Sequence, residues 1–133
     1  MKNILVTGAS SGIGETVARY LSEQGYRVIL VARSRDKLEQ MCNELQNAVC
    51  FPYDLNDLNN IESIFQFCKE NEILLDGMVY CAGYGKHMPI RSLQIDSLQE
   101  AMTVNCMAFV QMGKYIANRK YTVNGASVVA ISS

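Results

Sequence analysis

Continuous apolar runs alternate with helical apolar spacing along the whole chain, and this alternation limits the possible folds more than any other feature. The runs lie at residues 3–7, 27–31, 48–51, 78–81 and 128–131, and each is short enough for a buried strand. Parallel strands need crossover helices, and these helices cover both faces of the sheet. The pattern therefore predicts a doubly wound α/β fold with a parallel sheet.

Helical spacing predicts four helices between these strands. The last is the longest, with Asp96 as its candidate N-cap. Asn105 falls on its apolar side, so we expect a buried amide that finds hydrogen-bond partners. The predicted stripes are Ile13, Val17 and Leu21; Leu38, Met41, Cys42 and Leu45; Ile61, Ile64, Phe65 and Cys68; and Leu98, Met102, Cys106, Phe109, Gly113 and Ile116.

The composition fits one globular unit and argues against several partners. With 133 residues, of which 49% are hydrophobic, the chain can bury a sizeable core. Lys+Arg 12 against Asp+Glu 13 leave a formal net charge of −1, without a basic block, so we do not expect nucleic acid as a partner. No stretch is long enough for a membrane span, and the N-terminal apolar run is too short for a signal peptide.

Cysteine usage indicates a reducing compartment, and we predict a cytoplasmic protein. The five cysteines show no C-x-x-C spacing. Their odd number is typical of free, buried thiols rather than of a disulfide framework. We predict no metal site.

A glycine-rich turn, TGASSGIG, joins the first strand to the first helix. At such a junction, small residues can present backbone N–H groups and the positive end of a helix to a pyrophosphate. The alternative is a tight turn that merely needs small residues. We predict cofactor contacts for Gly8, Ser10, Ser11, Gly12, Ile13 and Gly14.

This turn resembles the cofactor fingerprint of the short-chain dehydrogenase/reductase family, and the similarity extends over the whole chain. The resemblance implies that residues 1–133 form the dinucleotide-binding Rossmann portion, in strand order 3-2-1-4-5. NADP(H)-dependent members carry an arginine at the position of Arg33, whereas NAD(H)-dependent members carry an acidic residue at that of Ala32. A guanidinium pairs with a 2′-phosphate that an aspartate would repel. A solvated loop arginine is the alternative, and Ser34 completes this predicted site.

The ends of the third and fourth strands resemble the family as well. An aspartate after the third strand contacts the adenine amino group in family members; an aspartate that helps to start the next helix is an equally good interpretation here. The stretch YCAG resembles the family's Asn-Asn-Ala-Gly, with both bracing asparagines replaced. Its Ala-Gly pair still permits close backbone approach to a cofactor. The resemblance implies cofactor contacts for Asp54, Leu55, Cys81, Ala82 and Gly83.

Two further positions resemble catalytic residues of the family. Asn105 corresponds to the asparagine that holds a water in the proton relay, although a satisfied core asparagine is the alternative. Ser133 corresponds to the serine that orients the substrate carbonyl. The family's following Tyr-x-x-x-Lys, its acid–base pair, does not occur in this sequence. The resemblance therefore implies an N-terminal half, truncated after the fifth strand and inactive alone.

The sequence leaves two functions open. The first is an NADP(H)-dependent oxidoreductase that, in complete form, moves hydride between nicotinamide and a small carbonyl or alcohol substrate. The second is a non-catalytic module that holds NADP(H) or a partner. Because the closing strand lacks Pro and charge, we also expect self-association through its edge, as a homo-oligomer.

Overall fold

Five parallel strands form one sheet in the order β3-β2-β1-β4-β5, with helices on both faces. The computed structural model describes residues 1–132. The strands are β1 Asn3–Thr7, β2 Arg27–Ala32, β3 Ala48–Pro52, β4 Leu75–Tyr80 and β5 Thr122–Ala130. The helices are α1 Gly12–Glu23, α2 Arg35–Glu44, α3 Glu62–Glu70, α4 Ile95–Met102 and α5 Ala108–Ile116. The predicted fold class and strand order are confirmed.

The sheet separates two hydrophobic cores, because successive residues of a strand point to opposite faces. In β1, Val6 packs in the core that α1 and α2 cover, whereas Leu5 packs in the core of α3 and α5. Both side chains are fully buried. Strand β1 is therefore central to both cores, and its carboxyl end is held between β2 and β4.

Strands β4 and β5 begin earlier than the sequence predicts, because polar residues interrupt their apolar runs. In β4, Asp76 accepts a hydrogen bond of 2.8 Å from the backbone N–H of Asn3. In β5, the pairing with β4 shifts register between Thr122 and Ser127, where Gly125 has a φ of 81°. A carboxylate and an irregular turn thus lie inside elements that apolar periodicity alone would place outside them.

A π-helical segment, Thr103–Met107, divides the predicted long helix into α4 and α5. Its wider turn changes which residues face the sheet, so the predicted stripe is wrong in its first half. Met102 is 54% exposed, although we expected it on the stripe. The buried residues of this region are Val104, Ala108, Met112 and Ile116, of which the predicted stripe contained only Ile116.

Three smaller predictions also fail. Gln94 rather than Asp96 is the N-cap of α4, and Asp96 lies in its first turn. Cys106 is exposed, whereas we expected buried thiols, because the π-helical segment turns it away from the sheet; all five cysteines are free. Ile13 is exposed because the first turn of α1 lies where the strands end. No helix within residues 1–132 is long and apolar enough to cross a membrane.

The packing of α1 against β1 requires a glycine at position 14. A Cβ atom there would lie 2.1 Å from the carbonyl oxygen of Gly8 and 3.1 Å from that of Thr7. Both neighbours are backbone atoms, which cannot rotate away. At Gly113 in α5, by contrast, a Cβ atom would meet no atom of the described residues within 4 Å.

The same substitution should therefore have opposite effects at these two glycines. We expect Gly14→Ala to lower the free energy of unfolding by about 2 kcal/mol or more, through overpacking. We expect Gly113→Ala to raise it by about 0.5–1 kcal/mol, because alanine favours the helix. Urea denaturation followed by circular dichroism measures both, and a Gly14→Ala variant as stable as the wild type would contradict this packing.

Candidate functional site

An open groove of about 480 Å³ lies at the carboxyl ends of the strands, beside the first turn of α1. Open α/β sheets bind ligands at this edge, where the strand order reverses, and here β1 lies at that point between β2 and β4. The groove is lined by Gly8, Ser10, Ser11, Val31, Ala32, Arg33, Ser34, Tyr53, Asp54, Leu55, Ala82, Gly83, Tyr84, Glu100 and Val104.

Thr7 fixes the end of β1 against the end of β4. Its buried hydroxyl accepts hydrogen bonds from the backbone N–H groups of Cys81, at 3.1 Å, and Ala82, at 3.2 Å. A Cβ atom on Gly8 would lie 2.9 Å from backbone atoms of the same two residues. The backbones of residues 7–8 and 81–82 therefore lie too close for a side chain to fit between them, and together they form one wall of the groove.

The start of α1 provides backbone donors beside this wall. Ser11 is the N-cap, and within residues 1–132 its hydroxyl makes no capping hydrogen bond. The N–H of Glu15 donates to the Ser11 carbonyl oxygen, so the N–H groups of residues 12–14 precede the first full helical turn. Unpaired N–H groups at the positive end of a helix form a site for an anion.

Arg33 follows β2 on the other side of the groove. Its side chain is 68% exposed, and its Nη1 atom lies 4.0 Å from Oε1 of Glu100 in α4. The hydroxyl of Ser34 accepts a hydrogen bond from the backbone N–H of Lys37 and so caps α2. Arg33 is thus free to reorient, whereas Ser34 has a structural role at this edge.

The loop after β3 completes the floor of the groove. The carboxylate of Asp54 accepts a hydrogen bond of 2.9 Å from the backbone N–H of Asn56, and α3 begins only at Glu62. Asp54 therefore forms a turn and does not start the next helix. Tyr53 donates a hydrogen bond to the carbonyl oxygen of Asp57, and burial, together with the charge of Asp57, raises the pKa of Tyr53 to about 12. Its hydroxyl stays protonated at neutral pH.

Tyr80, at a position where the family resemblance implies an asparagine, links β4 to the helical segment that covers it. Its hydroxyl donates a hydrogen bond to the backbone carbonyl oxygen of Val104, within the π-helical segment. Burial raises the pKa of Tyr80 well above its usual value, so this donor also keeps its proton. Burial likewise raises the pKa of the half-buried Cys81 thiol. The sheet is therefore tied to the helix that covers it by a tyrosine.

Asn105 is exposed rather than buried, because the π-helical segment turns it toward the loop after β4. Its amide oxygen accepts a hydrogen bond of 2.8 Å from the N–H of Tyr84, and its amide nitrogen donates one of 2.7 Å to the carbonyl oxygen of Tyr84. This two-point contact holds the loop that carries Gly83 against the helix. One donor hydrogen and one acceptor lone pair of the amide remain.

The structure brings together most of the predicted site residues but not all of them. Ser133 lies outside the described residues. Gly12, Ile13, Gly14, Cys81 and Asn105 lie near lining residues in sequence but do not themselves line the groove. Six lining residues were not predicted as contacts. Position at or just after the end of a strand could have suggested four of them, Val31, Ala32, Tyr53 and Tyr84; the other two are Glu100 and Val104.

Comparison with known proteins supports the same interpretation. The model of the short chain dehydrogenase family matches residues 2–133. The 3-ketodihydrosphingosine reductase of Mus musculus is 29% identical over 98% of this chain and 42% of the relative. An actinorhodin polyketide ketoreductase solved with NADPH has a TM-score of 0.90 at 25% identity, over 99% of this chain and 53% of that chain. A 4-hydroxyisoleucine dehydrogenase complexed with NADH has a TM-score of 0.77 at 23% identity. That match covers 88% of this chain and 48% of the dehydrogenase.

The chain belongs to the short-chain dehydrogenase family, an oxidoreductase family, because the family model spans almost its whole length. The chain covers about half the length of these relatives. The family resemblance expected from the glycine-rich turn is therefore confirmed.

Replacing the amide of Asn105 should loosen the loop after β4. Each lost hydrogen bond is worth roughly 0.5–1.5 kcal/mol, so in Asn105→Ala we expect the Tyr84 N–H to exchange with solvent about three- to tenfold faster. Gln99→Ala, which removes an exposed amide from the preceding helix α4, serves as the control. Hydrogen exchange followed by NMR measures the effect, and an unchanged Tyr84 rate would show that Asn105 does not hold the loop.

Proposed function

We propose that this chain binds NADP(H) and forms the dinucleotide-binding half of an oxidoreductase. In the complete protein, hydride would move between nicotinamide and a small carbonyl or alcohol substrate. The observation that carries this proposal is the position of Arg33, which lines the same groove as the glycine-rich turn. Free thiols on all five cysteines support a cytoplasmic location.

The groove suits a dinucleotide in size and chemistry. Its volume of about 480 Å³ lies in the usual range of cofactor sites. Glycines at positions 8 and 14 let the turn and α1 pack closely against the ends of β1 and β4, and this packing places the α1 N–H groups that would bind a pyrophosphate beside the groove. Arg33 supplies the positive charge for a 2′-phosphate, and Ala32 offers no carboxylate to a ribose hydroxyl. When bound, the nicotinamide supplies or receives the hydride.

The remaining predicted residues have roles in the same proposal. Asp54 keeps carboxylate capacity beyond its turn hydrogen bond and is proposed to accept from the adenine amino group. Asn105 keeps one donor and one acceptor, which we propose hold a water of the proton relay. Ser133 is proposed to orient the substrate carbonyl.

A module that binds NADP(H) without turnover is the second candidate function. Two tyrosines beside the groove favour this non-catalytic function. The hydroxyls of Tyr53 and Tyr80 have raised pKa values and donate hydrogen bonds to backbone carbonyl oxygens. Neither is suited to give or take a proton near neutral pH. In this second view the chain holds the cofactor only.

Removing the Arg33 guanidinium should weaken NADPH binding selectively. A charge-assisted phosphate contact is worth roughly 1.5–3 kcal/mol, so we expect Arg33→Ala to raise the Kd of NADPH about ten- to a hundredfold. The Kd of NADH should change less than about twofold. Arg35→Ala, whose side chain is equally exposed, is the matched control. Calorimetric titration gives both constants. Equal affinities for NADPH and NADH in the wild type would contradict the proposal that the chain binds NADP(H).

We also propose that the chain forms homo-oligomers. An apolar stripe at helical spacing runs along the exposed side of α4 and α5, and it contains Ile95, Leu98, Met102 and Val110. The stripe includes no charged residue, so two copies can pack it against itself about a twofold axis. The second candidate surface is the edge of β5, where Val128 and Val129 are about half exposed.

Two variants distinguish these surfaces. If the helical stripe forms the contact, Val110→Lys should convert the oligomer to a monomer at concentrations where the wild type associates, because a buried lysine opposes the contact. If the edge of β5 forms it, Val129→Lys should do so instead. Sedimentation velocity over a concentration series measures both. A wild type that remains monomeric at every concentration would contradict the homo-oligomer.

A further inference from the structure

Glu100 is an acidic residue in the groove that sequence analysis did not identify. It lies in α4, across the groove from the end of β2, and its Oε1 atom is 4.0 Å from Nη1 of Arg33. The Glu100 side chain is 27% exposed, whereas that of Arg33 is 68% exposed. The carboxylate is thus the more sheltered member of the pair, and the guanidinium is the member that can move.

The described residues that line the groove include more acidic than basic side chains. Among the lining residues that the structure describes, Arg33 is the cation, whereas Asp54 and Glu100 are both acidic. A phosphate that enters beside Arg33 therefore meets a guanidinium that already faces a carboxylate. Arg33 must either leave Glu100 or share its donors between two anions.

We propose that Glu100 is a specificity-determining residue, whose carboxylate competes with the cofactor 2′-phosphate for Arg33. This inference rests on the proposed function, since it requires that Arg33 bind that phosphate. The phosphate carries more negative charge than the carboxylate, so it wins the guanidinium when bound. Glu100 then remains nearby as an uncompensated negative charge. The Glu100 carboxylate thus lowers the affinity of the site for NADPH and reduces its preference for NADPH over NADH.

The effect should be modest and sensitive to salt. Exposed ion pairs at this separation contribute little because water and ions screen them, and Arg33 is largely exposed. We expect removal of the Glu100 charge to tighten NADPH binding by about two- to tenfold at low ionic strength. NADH lacks the 2′-phosphate, so its Kd should change by less than about twofold.

The test compares Glu100→Gln with the wild type, by titration of NADPH and NADH at low and at high salt. The glutamine keeps the shape of the side chain, and Glu23→Gln, at the end of α1, is the control for a lost surface charge. Glu100→Ala, as a second variant, should change NADPH affinity in the same direction. In an Arg33→Ala background, the gain in NADPH affinity from Glu100→Gln should be smaller, because the competition for Arg33 is gone and only the repulsion between Glu100 and the phosphate remains.

The outcomes separate this inference from the proposed function. NADPH affinity that depends on Arg33 but is unchanged or weaker in Glu100→Gln would overturn the role of Glu100 and leave the proposed function intact. A gain equal for NADPH and NADH would also overturn it. A wild type that does not prefer NADPH, with no effect of Arg33→Ala, would overturn both. A selective, salt-sensitive gain in NADPH affinity that is clearly smaller without Arg33 would support the competition, whereas an equal gain without Arg33 would overturn it.

Discussion

The close approach of α1 to the end of β1 is the contact on which the rest of the structure depends. Gly14 lies against the carbonyl oxygen of Gly8, and Gly8 lies against the backbone of Cys81 and Ala82. The Thr7 hydroxyl joins the same two strands through two hydrogen bonds. Because no side chain intervenes, the strand ends, the turn and the start of α1 form one rigid wall, and this wall places the helix N–H groups beside the groove.

The opposite wall carries longer, charged side chains, of which Arg33 is largely exposed. Arg33, which follows β2, faces Glu100 of α4. Tyr80 ties the π-helical segment to the sheet, and Asn105 ties that segment to the loop after β4. In the proposed binding mode, the rigid wall formed by β1 and α1 would bind the pyrophosphate, and the Arg33–Glu100 pair would face the ribose. Affinity would come mainly from the first wall and cofactor preference from the second.

The sequence predicted the parts that follow from local pattern. Periodicity identified every strand, and the TGASSGIG turn indicated both the site and the family. Prediction from the sequence failed where contacts between distant residues determine the structure. Asp76 belongs to β4, where its carboxylate accepts a hydrogen bond from the N–H of Asn3, and Asn105 is exposed because a π-helical segment turns it toward Tyr84. Glu100 lines the groove because α4 passes beside it in the folded structure, a position that no spacing in the sequence reveals.

The central claim is that the groove beside α1 binds NADP(H), and NMR titration of the labelled chain with NADP⁺ tests it most directly. We predict saturable shifts of the backbone amides of Gly8 to Gly14, with further shifts at Arg33 and Ala82, since these border the groove. Shifts confined instead to the cleft on the α1 face of β4 and β5, around Tyr26, Gly77 and Val129, would contradict the claim.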